Sequence, residues 1–411
     1  MKPTSKNWTA LFSTNFLGIF NDNFLKHCII FISISWVLPH WLTQSQLISL
    51  VSAALVVPYL LLSPFAGKLA VVHSKQAILR LMKFLELFIL LLASVAFLFQ
   101  WVWLAVGAVF LMGILSCLYS PAKYGLIRDV NGAEGISFGS GVFETMAFLG
   151  ILGGTVAASY VSDHYSLVVV IVLFLGVAVA GYLASRQIKV HETPVEERPE
   201  TANPIRFMVD AYRYATKHRY VNSGVLGASV FWLIGGLVQM NLVIHCVKTL
   251  GTSNTTAGLV MASAAIGIAL GCTVAGLLPG KGINPKLIPI GLFGMIVALV
   301  LILVFNPPVI VFAFLIFLLA FMGGIFEVPC LAIVQHANVG RELGNMIAYL
   351  NFTTFLFVLL GTALFSITNI LTHDNSLAVF AVILAICVAM LLFYAIKYPE
   401  FFRRKQSKQT A

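Results

Sequence analysis

Apolar residues run along this chain in blocks about as long as a bilayer is thick, and polar residues gather between the blocks. A helix that crosses ~30 Å of hydrocarbon needs about 20 apolar residues. The blocks predict twelve such helices in two sets. The first set lies near residues 8–37, 45–69, 78–99, 101–120, 140–161 and 165–186. The second lies near 219–245, 255–279, 286–305, 308–330, 345–370 and 376–397. Between the sets, the His191–Glu200 run is charged and contains Pro194 and Pro199, and it reads as an exposed linker. The segment Asn203–Arg219 interleaves Ile205, Val209, Tyr212 and Tyr214 with Arg206, Arg213 and Lys217, the pattern of an amphipathic helix on a membrane surface. Trp8 and Trp36 bracket the first block and read as membrane-interface anchors.

The chain thus divides into an N-terminal six-helix bundle over 1–186, a linker with an amphipathic helix over 187–216, a C-terminal six-helix bundle over 217–397 and a basic tail over 398–411. The halves echo each other weakly. Phe65–Ala70 follows the second block and Val274–Leu278 the eighth. Tyr119-Ser120-Pro121 closes the fourth block and Glu327-Val328-Pro329 the tenth. Glu144 stands ten residues before Gly154-Thr155, as Asn351 stands ten before Gly361-Thr362. Two six-helix pseudo-repeats make an all-α membrane protein of the major facilitator type, which binds its substrate near the midplane between the halves and rocks to expose it to either side.

Composition narrows the class. The 411 residues are 60% hydrophobic and 10% charged, with mean hydropathy +0.97, whereas a soluble protein is about 25% charged. The net charge of +10 sets topology rather than a nucleic-acid partner. All but Lys26 and Lys248 of the 25 Lys and Arg residues fall on the side of the termini or at helix ends facing it. The positive-inside rule then predicts cytoplasmic termini. Cys28, Cys117, Cys246, Cys272, Cys330 and Cys387 show no metal-ligand or disulfide-framework spacing and read as buried, inert thiols. The first block is too long and too polar inside for a cleavable signal. No nucleophile or metal-ligand set suggests an enzyme, and no cofactor is expected beyond a coupling ion, proton or sodium.

Charges inside the blocks are the candidate chemistry, because an ionisable residue at the centre of a membrane helix costs about 3 kcal/mol on insertion scales unless it faces protein or water. Asn15, Ile19, Asp22 and Lys26 share one face of the first helix, and Asp22 and Lys26 are spaced to pair. They either line a transport path or hold helices together as a self-neutralised pair. Lys123 follows the fourth block and Glu144 lies early in the fifth, so the two could meet near the cytoplasmic end of the path. Lys123 reads as a gate or phosphate contact, or as positive-inside anchoring. Glu144 reads as its partner, or as a structural ion pair. Glu327, just before Pro329, reads as a gate brace, with Arg128 and Arg341 among the basic residues at the gate. Glu86 and Lys83 read as a local pair near the interface. Gln239 and His245 could face the cavity, although a lone His is more often a packing residue.

At Tyr119-Ser120-Pro121-Ala122-Lys123-Tyr124-Gly125 the chain resembles the lysophospholipid transporters of the major facilitator superfamily. Supporting stretches are Phe16–Phe24, the Glu144 segment ending in Gly154-Thr155, Phe231-Trp232, Val328-Pro329 with Gln335, and Gly344-Asn345 with Asn351. The resemblance implies a transporter that moves lysophospholipid, lysophosphatidylethanolamine above all, from the outer to the inner leaflet of the bacterial inner membrane. It implies Asp22 and Asn23 as coupling or head-group positions, with Lys26 as modulator, Lys123 as a phosphate contact and Glu144 as partner or gate. Two positions depart from the family pattern: Val71 stands where the loop motif usually has Asp, and Gln239 where a basic residue is common. The chain ends at Ala411, so a lysophospholipid acyltransferase is expected as a separate partner of a monomeric transporter. The alternatives are a proton- or sodium-coupled transporter of a soluble solute or drug, and a membrane scaffold that moves nothing.

Overall fold

The computed structural model describes the chain except residues 1, 2, 34, 35, 37, 41, 43, 165, 193–203, 253, 279–282, 338–341, 374 and 403–411. The described residues form thirteen α-helices and no strand. In the first half these are α1 (Pro3–Ile32), α2 (Gln44–Val72), α3 (Lys75–Phe99), α4 (Val102–Asn131), α5 (Ile136–His164) and α6 (Leu167–Gln187). The short α7 (Pro204–Thr216) follows, and then α8 (Val221–Ile244), α9 (Asn254–Leu277), α10 (Leu287–Phe305), α11 (Val309–His336), α12 (Leu343–Thr372) and α13 (Ser376–Lys397). Eleven of them are long and apolar enough to cross a membrane. The twelfth long helix, α1, carries Asn15, Asn21, Asp22, Asn23 and Lys26 and is packed along α5 and α6.

Local chemistry sets several helix ends. Ser74 caps α3 by accepting from the Ala77 N–H, and Asn375 caps α13 by accepting from the Leu377 N–H. Gln100 and Asn306 take left-handed backbone angles that end α3 and α10. Prolines do not end helices here. Pro121 and Pro329 lie inside α4 and α11, which run on to Asn131 and His336. The apolar blocks alone place both span ends at these prolines. A membrane-buried helix tolerates the lost hydrogen bond when its neighbours re-satisfy the backbone, and the extra turns bring Lys123 inside the bundle.

The pseudo-repeat is plain in the packing. α1 packs on α5, α6 and α4; α2 and α3 pack on α4; α3 packs on α6. The same pattern returns in the second half: α8 on α12, α13 and α11; α9 and α10 on α11; α10 on α13. The halves join through α5 with α9 and α2 with α12, which exchange places under the repeat. Outward faces are apolar, with Phe88, Val168, Ile310 and Ile396 exposed as a lipid-facing surface.

One end of the molecule carries the start of α1 and the end of α13. There Asn7 donates to the Lys189 carbonyl at 2.8 Å, Ser74 donates to Glu192 at 2.9 Å, and Arg219 pairs with Glu400 at 2.9 Å. α7 lies at this end, packed on α2, α8 and α12. Its packed face is Phe207, Met208, Ala211, Tyr214 and Ala215, while Val209 and Tyr212 are exposed. The helix therefore docks on protein rather than lying free on lipid. Trp8 and Trp36 are likewise not interface anchors. Trp8 is 9% exposed and stacked on Phe12, and Trp36 is 6% exposed against Phe97.

Candidate substrate pathway and gate

The interior of the first half holds a chain of polar side chains on four helices. Lys83 and Glu86 of α3 pair at 2.5 Å, and Asn21 of α1 donates to the other Glu86 oxygen at 3.0 Å. Lys83 is 1% and Glu86 4% exposed, so this pair is local, as its spacing implies, but deep in the bundle and not at the interface. Gly18 makes room for it, since a Cβ there would lie 2.5 Å from Lys83 Nζ. Tyr119 of α4 offers its ring face to the same ammonium at 5.5 Å. Asp22, one position along α1, accepts from Ser116 of α4 at 2.8 Å. The predicted Asp22–Lys26 pair does not form within salt-bridge distance, and Lys26 acts on Asp22 only through the field between them. Asn23 turns its amide back onto its own helix, donating to the Ile19 carbonyl at 2.9 Å, and its backbone carbonyl bonds His27.

Lys123 sits one turn beyond Tyr119 along α4, toward the terminal end, and is 7% exposed. Its ammonium donates to Asn15 Oδ1 at 3.2 Å and lies over the rings of Tyr119, Tyr124 and Phe143 at 5.1, 5.4 and 5.6 Å. Three ring faces favour a cation without saturating it, and an ammonium has three N–H donors. The crevice around it, lined by Leu11, Thr14, Asn15, Leu79, Tyr119 and Phe143, is too narrow for a water molecule. Glu144 of α5 accepts from the Tyr124 hydroxyl at 2.8 Å and acts on Lys123 electrostatically without touching it.

The hydrogen bonds that join the halves gather toward the terminal end. Ser140 donates to Gln335 at 2.8 Å, Thr145 donates to the Ala269 carbonyl at 3.0 Å and bonds Thr273 at 2.9 Å. Asn351 donates to Ser120 at 2.8 Å, and Arg128 donates to the Ala337 carbonyl at 2.7 Å. The seams between these bonds are made of glycine. A Cβ on Gly141 would meet the Cys272 carbonyl at 2.6 Å, and one on Gly67 would meet the Ala348 Cβ at 2.7 Å. Val71, in place of the motif's Asp, packs against Gly344, so close backbone approach closes this seam where a charge would have. Arg341 lies outside the described residues.

A carboxylate does stand at the adjoining loop, though a different one. Glu192 accepts from the Lys75 and Gln76 N–H groups at 2.7 and 3.0 Å, from the Gln76 side chain at 2.8 Å and from Ser74. Burial acts to raise its pKa, but the bonds from Gln76, Lys75 and Ser74 outweigh burial and hold it below the usual carboxylate value. In the sequence Glu192 belongs to the charged linker, because its partner loop is more than 100 residues away.

Two predicted positions belong to other surroundings. His245 is 0% exposed, wedged between Phe312 and Phe380 and bonded to Ser376 at 2.9 Å, so it packs the second half. Gln239 is exposed on the face of α8 that also carries Trp232 and Gly236, outward of the gate. Glu327 lies at the gate, 0% exposed, with neither carboxyl oxygen hydrogen-bonded. It therefore makes no bond that could serve as a brace.

A family model for the Major Facilitator Superfamily matches residues 11–281 and 224–411. The chain belongs to that superfamily. Among curated proteins, this superfamily member is 28% identical over 355 residues to the lysophospholipid transporter LplT of Shigella flexneri serotype 5b, covering 84% of this chain and 85% of the relative. It is 29% identical to that of Escherichia fergusonii over 84% of this chain and 85% of the relative. Among solved structures it resembles the superfamily transporter FucP in the outward conformation, with TM-score 0.73 at 14% identity over 94% of this chain and 98% of that one. It also resembles the human organic anion transporter MFSD10, with TM-score 0.76 at 14% identity over 95% and 99%. The fold is thus that of the superfamily, and the protein is a multi-pass membrane transporter, not an enzyme.

Proposed function

We propose that this transporter carries lysophospholipid from the outer to the inner leaflet of the bacterial inner membrane by alternating access, with a separate acyltransferase restoring the second chain. The observation that carries the reading is Lys123. It is a buried cation with one hydrogen-bond acceptor, held in an aromatic box beside the gate of a chain similar along most of its length to LplT proteins. A phosphate would supply the acceptors that Asn15 alone does not, through charge-assisted bonds. Asp22, bonded to Ser116, is the coupling or head-group position on this reading, and Gln239 lines the approach from the far side. The terminal end faces the cytoplasm, supported by the Lys and Arg bias.

The test is reconstitution into liposomes with labelled lysophosphatidylethanolamine and measurement of leaflet transfer. Transfer by the wild-type protein is expected, under a proton or sodium gradient. Lys123→Ala should weaken phosphate-bearing ligands by about 10- to 100-fold, the worth of one charge-assisted bond at ~1.5–3 kcal/mol, while leaving a phosphate-free lipid analogue unaffected. No transfer of any head group under either gradient overturns the proposal.

A further inference from the structure

At the terminal end of the second half, three chain segments enclose a cavity of about 420 Å³. Its polar lining is His218, Arg219 and Tyr220, from the connection between α7 and α8, together with His336 at the end of α11. Ile283, Pro285 and Ile333 line the rest with apolar surface. The crevice around Lys123 is lined by other residues, so the two are separate.

The polar side is held in place. Tyr220 has a left-handed backbone angle, φ 72°, which a residue with a Cβ keeps only where its surroundings hold it. Its ring packs on Tyr398 and Phe401 at 5.6 and 5.2 Å, and its hydroxyl donates to Glu400 at 2.8 Å. Arg219 lays its guanidinium over the Tyr220 ring at 4.7 Å and donates to Glu400 at 2.9 Å. The other N–H groups of that fork remain for a further acceptor. His218 is half-buried against Tyr214, with ring centroids 5.0 Å apart.

Charge and size define what fits. A guanidinium and two imidazoles, on two separate segments, offer donors to one space. One arginine fork satisfies a carboxylate, whereas the oxygens of a phosphate accept from several directions. A small inorganic anion would leave most of the space empty, since a water molecule takes up only ~30 Å³. Small-molecule sites are usually about 300–1,000 Å³. An organic phosphate, its body against Ile283, Pro285 and Ile333, uses both the donors and the volume.

The cavity also touches the gate. Ala337 lines it, and the Ala337 carbonyl accepts from Arg128 of α4 at 2.7 Å across the two halves. The Arg128 charge is felt at His336. That charge stands beside the cavity only while the terminal ends are together. An anion in the cavity is therefore held more tightly when the gate is closed, and a ligand that prefers one state shifts the population toward it.

We propose that this cavity binds an organic phosphate and that its occupant holds the gate closed. Two sources share the chemistry: a free phosphate ester, and the head group of an anionic phospholipid in the adjoining leaflet. The proposal rests on the transporter reading for the gate but not on the cargo.

The native Cys272 thiol reports the gate. Cys272 is 0% exposed, and its backbone carbonyl lies at the Gly141 seam between the halves. Alkylation by a membrane-permeant maleimide, followed by mass spectrometry of the full-length protein in phosphatidylcholine nanodiscs, measures how often the gate opens. Glycerol 3-phosphate, or phosphatidylglycerol built into the disc, should slow alkylation about fivefold or more, the usual size of coupling between two sites. Glycerol, or sodium chloride at equal ionic strength, should not. Slowing by glycerol 3-phosphate identifies a free ester, and slowing by phosphatidylglycerol alone identifies a lipid. Arg219→Gln, at a side chain 75% exposed, should raise the half-effective amount of the acting ligand about tenfold, as loss of one charge-assisted bond requires. His336→Gln should raise it in the same direction from the other segment. No slowing by either ligand overturns the proposal, as does equal slowing of wild type and both variants. A shift produced by Lys123→Ala instead of Arg219→Gln places the anion in the transport path and also overturns it. None of these measurements follows lysophospholipid transfer, so failure of that transfer would leave this site standing.

Discussion

The two halves repeat one packing plan but treat buried charge in opposite ways. The first half buries Lys83, Glu86, Lys123 and Glu144 and half-buries Asp22, and each has a named partner. The second buries Glu327 with none. A charge met by an opposite charge and an amide is held in place in every conformation that keeps its bundle intact. A carboxyl met by nothing depends on whether the gate is shut. The difference separates the Lys83–Glu86 pair, held by an opposite charge and an amide, from a solitary carboxyl, and it is independent of how deeply each group is buried, since Lys83 and Glu327 are 1% and 0% exposed.

The comparison can be broken most forcefully at Lys83. Lys83→Met leaves Glu86 buried without its cation and should cost about 3–5 kcal/mol, read as a large fall in thermal unfolding temperature of the detergent-solubilised protein. Pairing it with Glu86→Leu should recover more than half of the loss. If the single variant is as stable as wild type, the first half is no scaffold and the contrast fails. Next is the seam. Gly141→Ala drives a Cβ to 2.6 Å from a backbone carbonyl that cannot rotate away. It should shift the gate toward open by about 1–3 kcal/mol, the usual cost of overpacking, raising Cys272 alkylation without lowering the unfolding temperature of either bundle. An unfolding loss with no change in alkylation would make the seam part of the core. The smallest effect is expected at Glu192. Glu192→Gln should cost under about 1 kcal/mol, because the group is half-exposed and screened. Its folded pKa is below the ordinary Glu value, so the wild-type advantage is present at neutral pH and is lost as pH falls through that lower value. Unfolding curves of the two proteins should converge in acid, and a gap that persists there would rule out the charge as its source.

Helix count, order and most boundaries are legible in the sequence, because a run of apolar residues states that a segment is in the membrane. The runs say nothing of direction, and the errors follow from that. Trp8 and Trp36 have the composition of interface anchors, yet both point into the bundle. Lys83 lies near the predicted start of its span, where a cation ordinarily reaches water; the turn of α3 that aims it at Gly18 and Tyr119 is set by neighbours from two other helices. Within the site, Asp22, Lys123 and Glu144 stand out as charges in apolar runs. Their partners Ser116, Asn15 and Tyr124 are ordinary residues until the fold brings them near. That Glu327 lacks a partner is a property of an interface between two halves, and no local pattern records it.

The glycine seams bear on how easily the transporter turns over. At Gly141, Gly276, Gly67 and Gly344 the helices of opposite halves touch backbone to backbone. Interlocked side chains must climb out of one another before two surfaces can part, and that climb is a barrier whatever the stability of the end states. Smooth surfaces have no such toll. Contact across these helices is close enough to exclude water and shallow enough to be left in one motion, so the timing of each cycle falls to the few hydrogen bonds and the cargo rather than to the friction of the walls.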